Sequence, residues 1–171
     1  PLDASVDLAA VPDAVPRAEP LHRFANRPYS VLGRDYTPLQ TAPAFRQQGV
    51  ASWYGRRYHG QKTSSGEPYD MFGMTAAHPT LPIPSYVRVS RPENGKSVVV
   101  RVNDRGPFHS DLIIDLSYAA AVKLGYMEEG TARVEVEVLD VAGVEDHRKD
   151  AYGMYRFLQL GAFGREATAR T

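Results

Sequence analysis

Cysteine is absent from the 171 residues. That removes disulfides, thiolate nucleophiles and cysteine-bearing zinc sites together, and it leaves the redox compartment open. A surplus of one charge sign is lacking too, because 20 Lys and Arg offset 20 Asp and Glu. With no bias toward polyanions, nucleic acid is not an expected partner. No window approaches the roughly 18 to 20 consecutive apolar residues of a membrane-spanning helix, so the residues present are not expected to cross a bilayer. The chain begins at Pro1 instead of methionine, and an upstream segment, such as a removed signal sequence, is expected. What is there, 43% hydrophobic and 23% charged residues, is ordinary for a globular chain. The length allows one domain with tails, or one domain and a fragment of a second.

Proline is unevenly spread. Of 13 prolines, those at 1, 12, 16, 20, 28, 38 and 43 crowd the first quarter. Residues 1 to about 24 therefore read as an extended, largely disordered tether. The aromatic and branched residues from Tyr29 to Leu39 predict an ordered strap, so residues 1–46 form a tether and strap and not a separate domain. Residues 47–140 change to short β-rich runs broken by Gly and Pro, the pattern of a small barrel or sandwich. Strands are expected over 49–54, 86–90, 97–103 and 133–139, with Val98, Val100 and Val102 on one face. Asn94-Gly95 predicts a hairpin. Ser117 as N-cap, the Ala119–Ala121 run and Gly125 as C′ predict a helix over 118–124. Residues 141–153 read as a polar linker. The apolar run from Tyr155 to Phe163 predicts a truncated second module over 154–171.

Three acids are candidates for proton transfer. Asp104 follows an apolar strand and precedes Arg105-Gly106-Pro107; it is either a catalytic carboxylate at a strand end or a turn residue bonding nearby backbone donors. Glu67 lies in the loop Thr63-Ser64-Ser65-Gly66-Glu67, where an exposed, solvating role is equally available. Asp70 fits a cap or turn. His78, after the small residues Thr75-Ala76-Ala77, is either a structural hydrogen-bonding group or a site residue. His59 with His78 and a carboxylate raises a metal site, but the spacing matches no two-histidine zinc motif, so neither metal nor cofactor is expected. Trp53, Tyr54, Tyr58, Tyr69, Phe72 and Phe108 flank the same loops. They are either core or the walls of a groove whose aromatic faces would stack on sugars.

Taken together, Gly49-Val50-Ala51-Ser52-Trp53-Tyr54-Gly55, His59-Gly60, Thr63-Ser64-Ser65-Gly66-Glu67, Met74-Thr75-Ala76-Ala77-His78, Val100 to Phe108 and Ile114-Asp115-Leu116-Ser117 resemble the rare lipoprotein A family of septal-ring lytic transglycosylases. The similarity runs over roughly residues 48–140. The tail from Phe157 to Phe163 is similar to the start of a sporulation-related repeat domain, which binds peptide-stripped peptidoglycan. The resemblance implies a mainly-β fold, a six-stranded double-psi β-barrel with one or two short helices. It implies an envelope lipoprotein of the outer membrane, facing the periplasm at the division septum and anchored by a lipid upstream of Pro1; a monomer is expected. It also implies cleavage of the β-1,4 bond between N-acetylmuramic acid and N-acetylglucosamine in denuded glycan strands, leaving 1,6-anhydro ends.

Family functional positions fall on Glu67, His78 and Asp104. Asp104, walled by a hydrophobic strand, is the expected general acid; Glu67 would stabilise oxocarbenium charge or orient the sugar, and His78 would bond a carboxylate or a substrate oxygen. Trp53, Tyr54, Tyr58, Ser65, Tyr69, Asn103, Arg105 and Phe108 are the expected substrate-binding residues. Two rival readings use the same fold. One is a non-catalytic glycan-binding or wall-loosening module, the other a division-site scaffold.

Overall fold

The computed structural model describes residues 7–141; the expected module at 154–171 and all but the first residue of the expected linker lie outside the described residues. Elements run in the order β1 (Tyr29–Val31), β2 (Arg34–Tyr36), β3 (Arg46–Trp53), β4 (Thr75–Ala77), β5 (Ser85–Arg91), β6 (Lys96–Asp104), β7 (Ile114–Leu116), α1 (Tyr118–Leu124) and β8 (Ala132–Val138). Strands β3 to β8 close into a barrel with the spatial order β3-β7-β4-β6-β5-β8. Two parallel pairs, β3 with β7 and β4 with β6, cross an otherwise antiparallel ring. This is the six-stranded double-psi β-barrel that the family resemblance implies, with a single α-helix among the described residues. None of the helices there is long and apolar enough to cross a membrane.

Alternation builds the barrel. Val87 and Val89 on β5, Val98, Val100 and Val102 on β6, and Val134 and Val136 on β8 point inward and are buried together with Leu81, Ile83, Ile114 and Leu116. Each such aliphatic side chain contributes about 1.5–3 kcal/mol by leaving water. Helix α1 forms where predicted: Ser117 Oγ accepts from Ala120 N, and Gly125, at φ +91°, stops the helix in the left-handed region. The β5–β6 hairpin also forms, with Gly95 at φ +72°. Strands β4 and β7 were not anticipated, since three residues are too few to display a period.

A second, smaller core lies outside the barrel wall. Tyr54, Tyr69, Met71, Ala77 and Tyr118 form it, and it covers the outer face of β4. The barrel therefore has a filled lumen and one thickened flank.

The described part of the leader departs from the expected disordered tether. After a single 3-10 turn at Leu8–Ala10, residues 11–22 are extended, as their prolines dictate, but the leader is held against the barrel. Ala14 N donates to Val99 O (3.0 Å) and His22 N to Ile83 O (2.8 Å), while Lys123 Nζ donates to Val11 O (2.6 Å) and lies 3.5 Å from Asp13. Proline already restricts the free segment, so ordering it loses less entropy, and an extended backbone presents its groups to exposed carbonyls. The strap forms as the hairpin β1–β2, with Tyr29 stacked on Tyr36 (5.1 Å between centroids) and both rings against Phe108.

Candidate active site

Strand register places the acids. Along β4–β6 the register slips between Ala76 and Ala77, so that Ala76 faces Val102 but Ala77 faces Asp104, leaving Asn103 as the extra residue of a bulge. On its other side Ala77 faces Asp115 of β7, and Asp115 faces Ser52 of β3. Directly opposed residues share a face. Their neighbours Ala51, Ala76, Val102, Ile114 and Leu116 fill the lumen, so Ser52, Asp115, Ala77 and Asp104 lie in one row on the outer wall. Two strand spacings put the two aspartate Cα atoms roughly 10 Å apart. Between them in register stands Ala77, buried under the cluster of Tyr54, Tyr69, Met71 and Tyr118.

The loop 63–67 arches over the end of this row. Asp104 Oδ1 accepts from Ser64 N (2.9 Å), Ser64 Oγ (2.9 Å) and Arg105 N (2.8 Å). Its Oδ2 has no hydrogen bond among the described residues. Ser65 N donates to Asn103 O (3.1 Å), tying the loop to the bulge. Glu67 Oε1 accepts from Arg101 Nη1 (2.7 Å) and Asn103 Nδ2 (3.2 Å). Burial pushes the Glu67 carboxyl up, but the hydrogen bond from Arg101, then that from Asn103 and the Arg101 charge, outweigh it and hold the group below its ordinary value. Glu67 and Asp104 are thus brought together by one loop.

Asp115 is the carboxyl that burial pushes up, to about 7, with the Ser52 hydrogen bond opposing and the nearby Asp104 charge adding to the rise. Its Oδ1 is 3.2 Å from Ser52 Oγ. Close by, the Tyr54 hydroxyl and Thr75 Oγ1 are buried without a hydrogen bond; the two are near enough to interact, yet not at bonding distance. Asp115 was not among the sequence candidates. Its only signal is a charge flanked by two apolar residues in Ile114-Asp115-Leu116, which any solvent-facing strand residue shares.

His78 takes a different place from the one expected. It is 3% exposed. Its Nδ1 accepts from Thr80 N and Leu81 N (both 3.1 Å), and its Nε2 lies 2.8 Å from Gln47 Oε1. Two backbone donors on Nδ1 assign the proton to Nε2, and burial, then the Arg105 charge, lowers the ring to about 3. Neither nitrogen is free for a carboxylate or a sugar, so the expected side-chain contact is replaced by a backbone one: His78 N donates to Asp104 O (3.0 Å).

Arg105 is likewise a structural group and not a substrate ligand. All five of its donors are used, by the Ala25, His78 and Leu81 carbonyls and by Asn26 Oδ1. Tyr69, 2% exposed, donates from its hydroxyl to Tyr54 O and accepts from Tyr118 N; it is core. Trp53 is half-buried with Nε1 on Met127 O (3.0 Å). Of the other expected substrate residues, Tyr54 floors the flank and Asn103 holds Glu67. Ser65, Tyr58 and Phe108 border open space, the last beside a 480 Å3 cavity that Ser64, Tyr29 and Arg27 also line. His59 and His78 belong to separate networks, since His59 Nδ1 accepts from Met71 N. Among the described residues no three His, Asp or Glu side chains converge as metal ligands.

The family described as lytic transglycolase matches residues 46–136, more than half of the chain. A curated protein of Pseudomonas aeruginosa (strain PAO1) named endolytic peptidoglycan transglycosylase RlpA is 62% identical over 135 residues, covering 79% of this chain and 39% of that protein. Its namesake from Neisseria meningitidis serogroup A (strain Z2491) is 56% identical over 161 residues, covering 92% of this chain and 65% of that one. The chain therefore spans less than two thirds of the length of these relatives. Among solved structures, a Streptomyces papain inhibitor aligns at a TM-score of 0.49 with 25% identity, covering 58% of this chain and 100% of that one. With more than half of its residues matched and relatives at these identities, the chain belongs to the rare lipoprotein A family of lytic transglycolases.

Proposed function

We propose that the protein is an endolytic peptidoglycan lytic transglycosylase that cuts denuded glycan strands between N-acetylmuramic acid and N-acetylglucosamine. The observation that carries the reading is the row Asp104–Ala77–Asp115 on the outer wall, with one open carboxylate oxygen and one proton retained to about pH 7. Asp115, raised to about 7 by burial, still holds its proton in part at neutral pH. Asp104 delivers a proton to the glycosidic oxygen. The bond from that oxygen to the anomeric carbon breaks, and the muramic acid C6 hydroxyl oxygen bonds to the anomeric carbon. The hydroxyl proton returns to Asp104. Because the nucleophile belongs to the sugar, no water need be activated, in contrast to two-carboxylate hydrolysis. Glu67, kept ionised by Arg101, faces the developing positive charge. His78 and Arg105 hold the Asp104 backbone in place.

The relatives' printed names support peptidoglycan as substrate. Action in the bacterial envelope, as an outer-membrane lipoprotein at the septum, belongs to the same proposal. The test is incubation with amidase-treated peptidoglycan and mass spectrometry of the released sugars. Anhydro-ended fragments from the parent chain, reduced at least about a hundredfold in Asp104→Asn, are expected. Reducing ends would replace the mechanism with hydrolysis. No release with retained sedimentation on the polymer would replace it with a glycan-binding module.

A further inference from the structure

The family match begins at residue 46 and leaves the leader outside, yet the leader reaches the site. Arg101 of β6 uses three donors in two directions. Its Nε and Nη2 donate to Glu19 Oε2 and Oε1, both at 3.0 Å, and its Nη1 donates to Glu67 Oε1 at 2.7 Å. Glu19 is itself fixed. Tyr86, the cross-strand neighbour of Arg101, donates its hydroxyl to Glu19 Oε2, and Arg17 Nη2 lies 3.4 Å from Oε1. The Glu19 side chain is 12% exposed against 45% for Glu67. Between them lies a cavity of about 310 Å3 bordered by Glu19, His22, Ser65, Glu67 and Arg101.

A guanidinium is a rigid plane, so a bidentate partner on one edge fixes where the remaining nitrogen points. The backbone of β6 sets the root of Arg101, and Glu19 sets its far end. We propose that Glu19 is a positioning residue for Glu67, acting through Arg101, so that the leader is a working wall of the glycan groove. The inference rests on the function proposed above for its catalytic meaning, but the placement of Glu67 can be read without it.

The test uses the full chain and the variants Glu19→Ala and Glu19→Gln. Asp13→Asn serves as a control that loosens the leader at Lys123 without touching Arg101. Carbon-13 titration of the Glu67 carboxyl is followed together with kcat and KM for fragment release, at a temperature where each variant is folded. If Glu19 positions Arg101, its loss frees the guanidinium, and the Glu67 midpoint rises in Glu19→Ala and by less in Glu19→Gln. The kcat falls about tenfold in Glu19→Ala with KM within about twofold, and Glu19→Gln recovers part of it. The control leaves the midpoint and kcat unchanged. Should Glu19→Ala fail to fold, the sign of the midpoint change in Glu19→Gln decides. A midpoint that falls shows that Glu19 acts by its charge alone, and an unmoved midpoint or a wild-type kcat shows no positioning; each overturns the proposal. If the parent chain releases no anhydro fragments, the function reading fails while the titration still decides the role of Glu19.

Discussion

Ala77 separates the Asp104 and Asp115 positions in register across three strands. A larger residue there would clash with the tyrosines packed over it. The pH dependence of stability follows from two buried neighbours with opposite signs. Asp115 keeps its proton in the fold up to about 7, whereas an unfolded Asp loses it near about 3.9. The folded state binds more protons in that window, so this group's contribution is complete below about pH 4 and is lost as pH rises to 7. His78, lowered to about 3, does the reverse: its contribution is complete above the unfolded value of about 6.5 and declines as pH falls toward 3. The two slopes oppose each other between about pH 4 and 6.5. Urea denaturation should therefore show a wild type of nearly flat stability there. Asp115→Asn should instead rise steadily with pH and exceed the wild type by roughly 4 kcal/mol near pH 8. A variant that tracks the wild type across the range would refute the assignment.

The same residues show what a sequence reveals of a site. Glu67 and Asp104 could be nominated because their motifs and the loop between them are local. His78 could be nominated but not given its role, because Gln47 and the backbone of Thr80 and Leu81 claim its ring only after folding. Asp115 stayed hidden because its burial arises only once strands distant in the chain have closed around it.

Among elements, the leader differs most from its composition. Prolines and small residues read as disorder because they supply little apolar area, but hydrogen bonds to a surface already formed, with Leu8, Val11 and Ala14 packed against the core, hold the segment. Asn26 is the central stitch. Its Oδ1 accepts from Ile83 N (2.9 Å) and Arg105 Nη2 (3.1 Å), and its Nδ2 donates to Ile83 O (2.8 Å). Asn26→Ala leaves a buried amide and a guanidinium donor unpaired, an expected loss of about 2 kcal/mol by urea denaturation. Because Arg105 adjoins Asp104 in the chain, the same change should lower fragment release even where the protein is folded. Helix α1 was legible for the opposite reason: its cap, its alanines and its terminating glycine are all contiguous. Gly125→Ala would force φ +91° on a residue with a Cβ, placed 3.3 Å from Arg91 Nη1, and should cost about 1 kcal/mol.

At the scale of the whole molecule, closure leaves the barrel without free edges, and the lumen carries the stability. Val100, fully buried at the middle of β6, should lose about 2 kcal/mol on truncation to Ala. The parallel pairs join segments far apart in sequence, Ala51 with Ile114 and Thr75 with Arg101. Such pairings close long loops before they are repaid, so stopped-flow refolding should lie in the range of about milliseconds to seconds and not microseconds. The long strands announced themselves by alternation, but the order in which they meet depends on crossovers that no local pattern encodes.

Asp104, at one end of its row, stands on the outer flank of the barrel and not in its mouth. A mouth would admit a polymer by its end, whereas a flank lets a thread be laid across it anywhere along its length, with both tails free to run on. If sugar chains are the cargo, interior linkages become as reachable as terminal ones, and a break in the middle of a strand requires no threading.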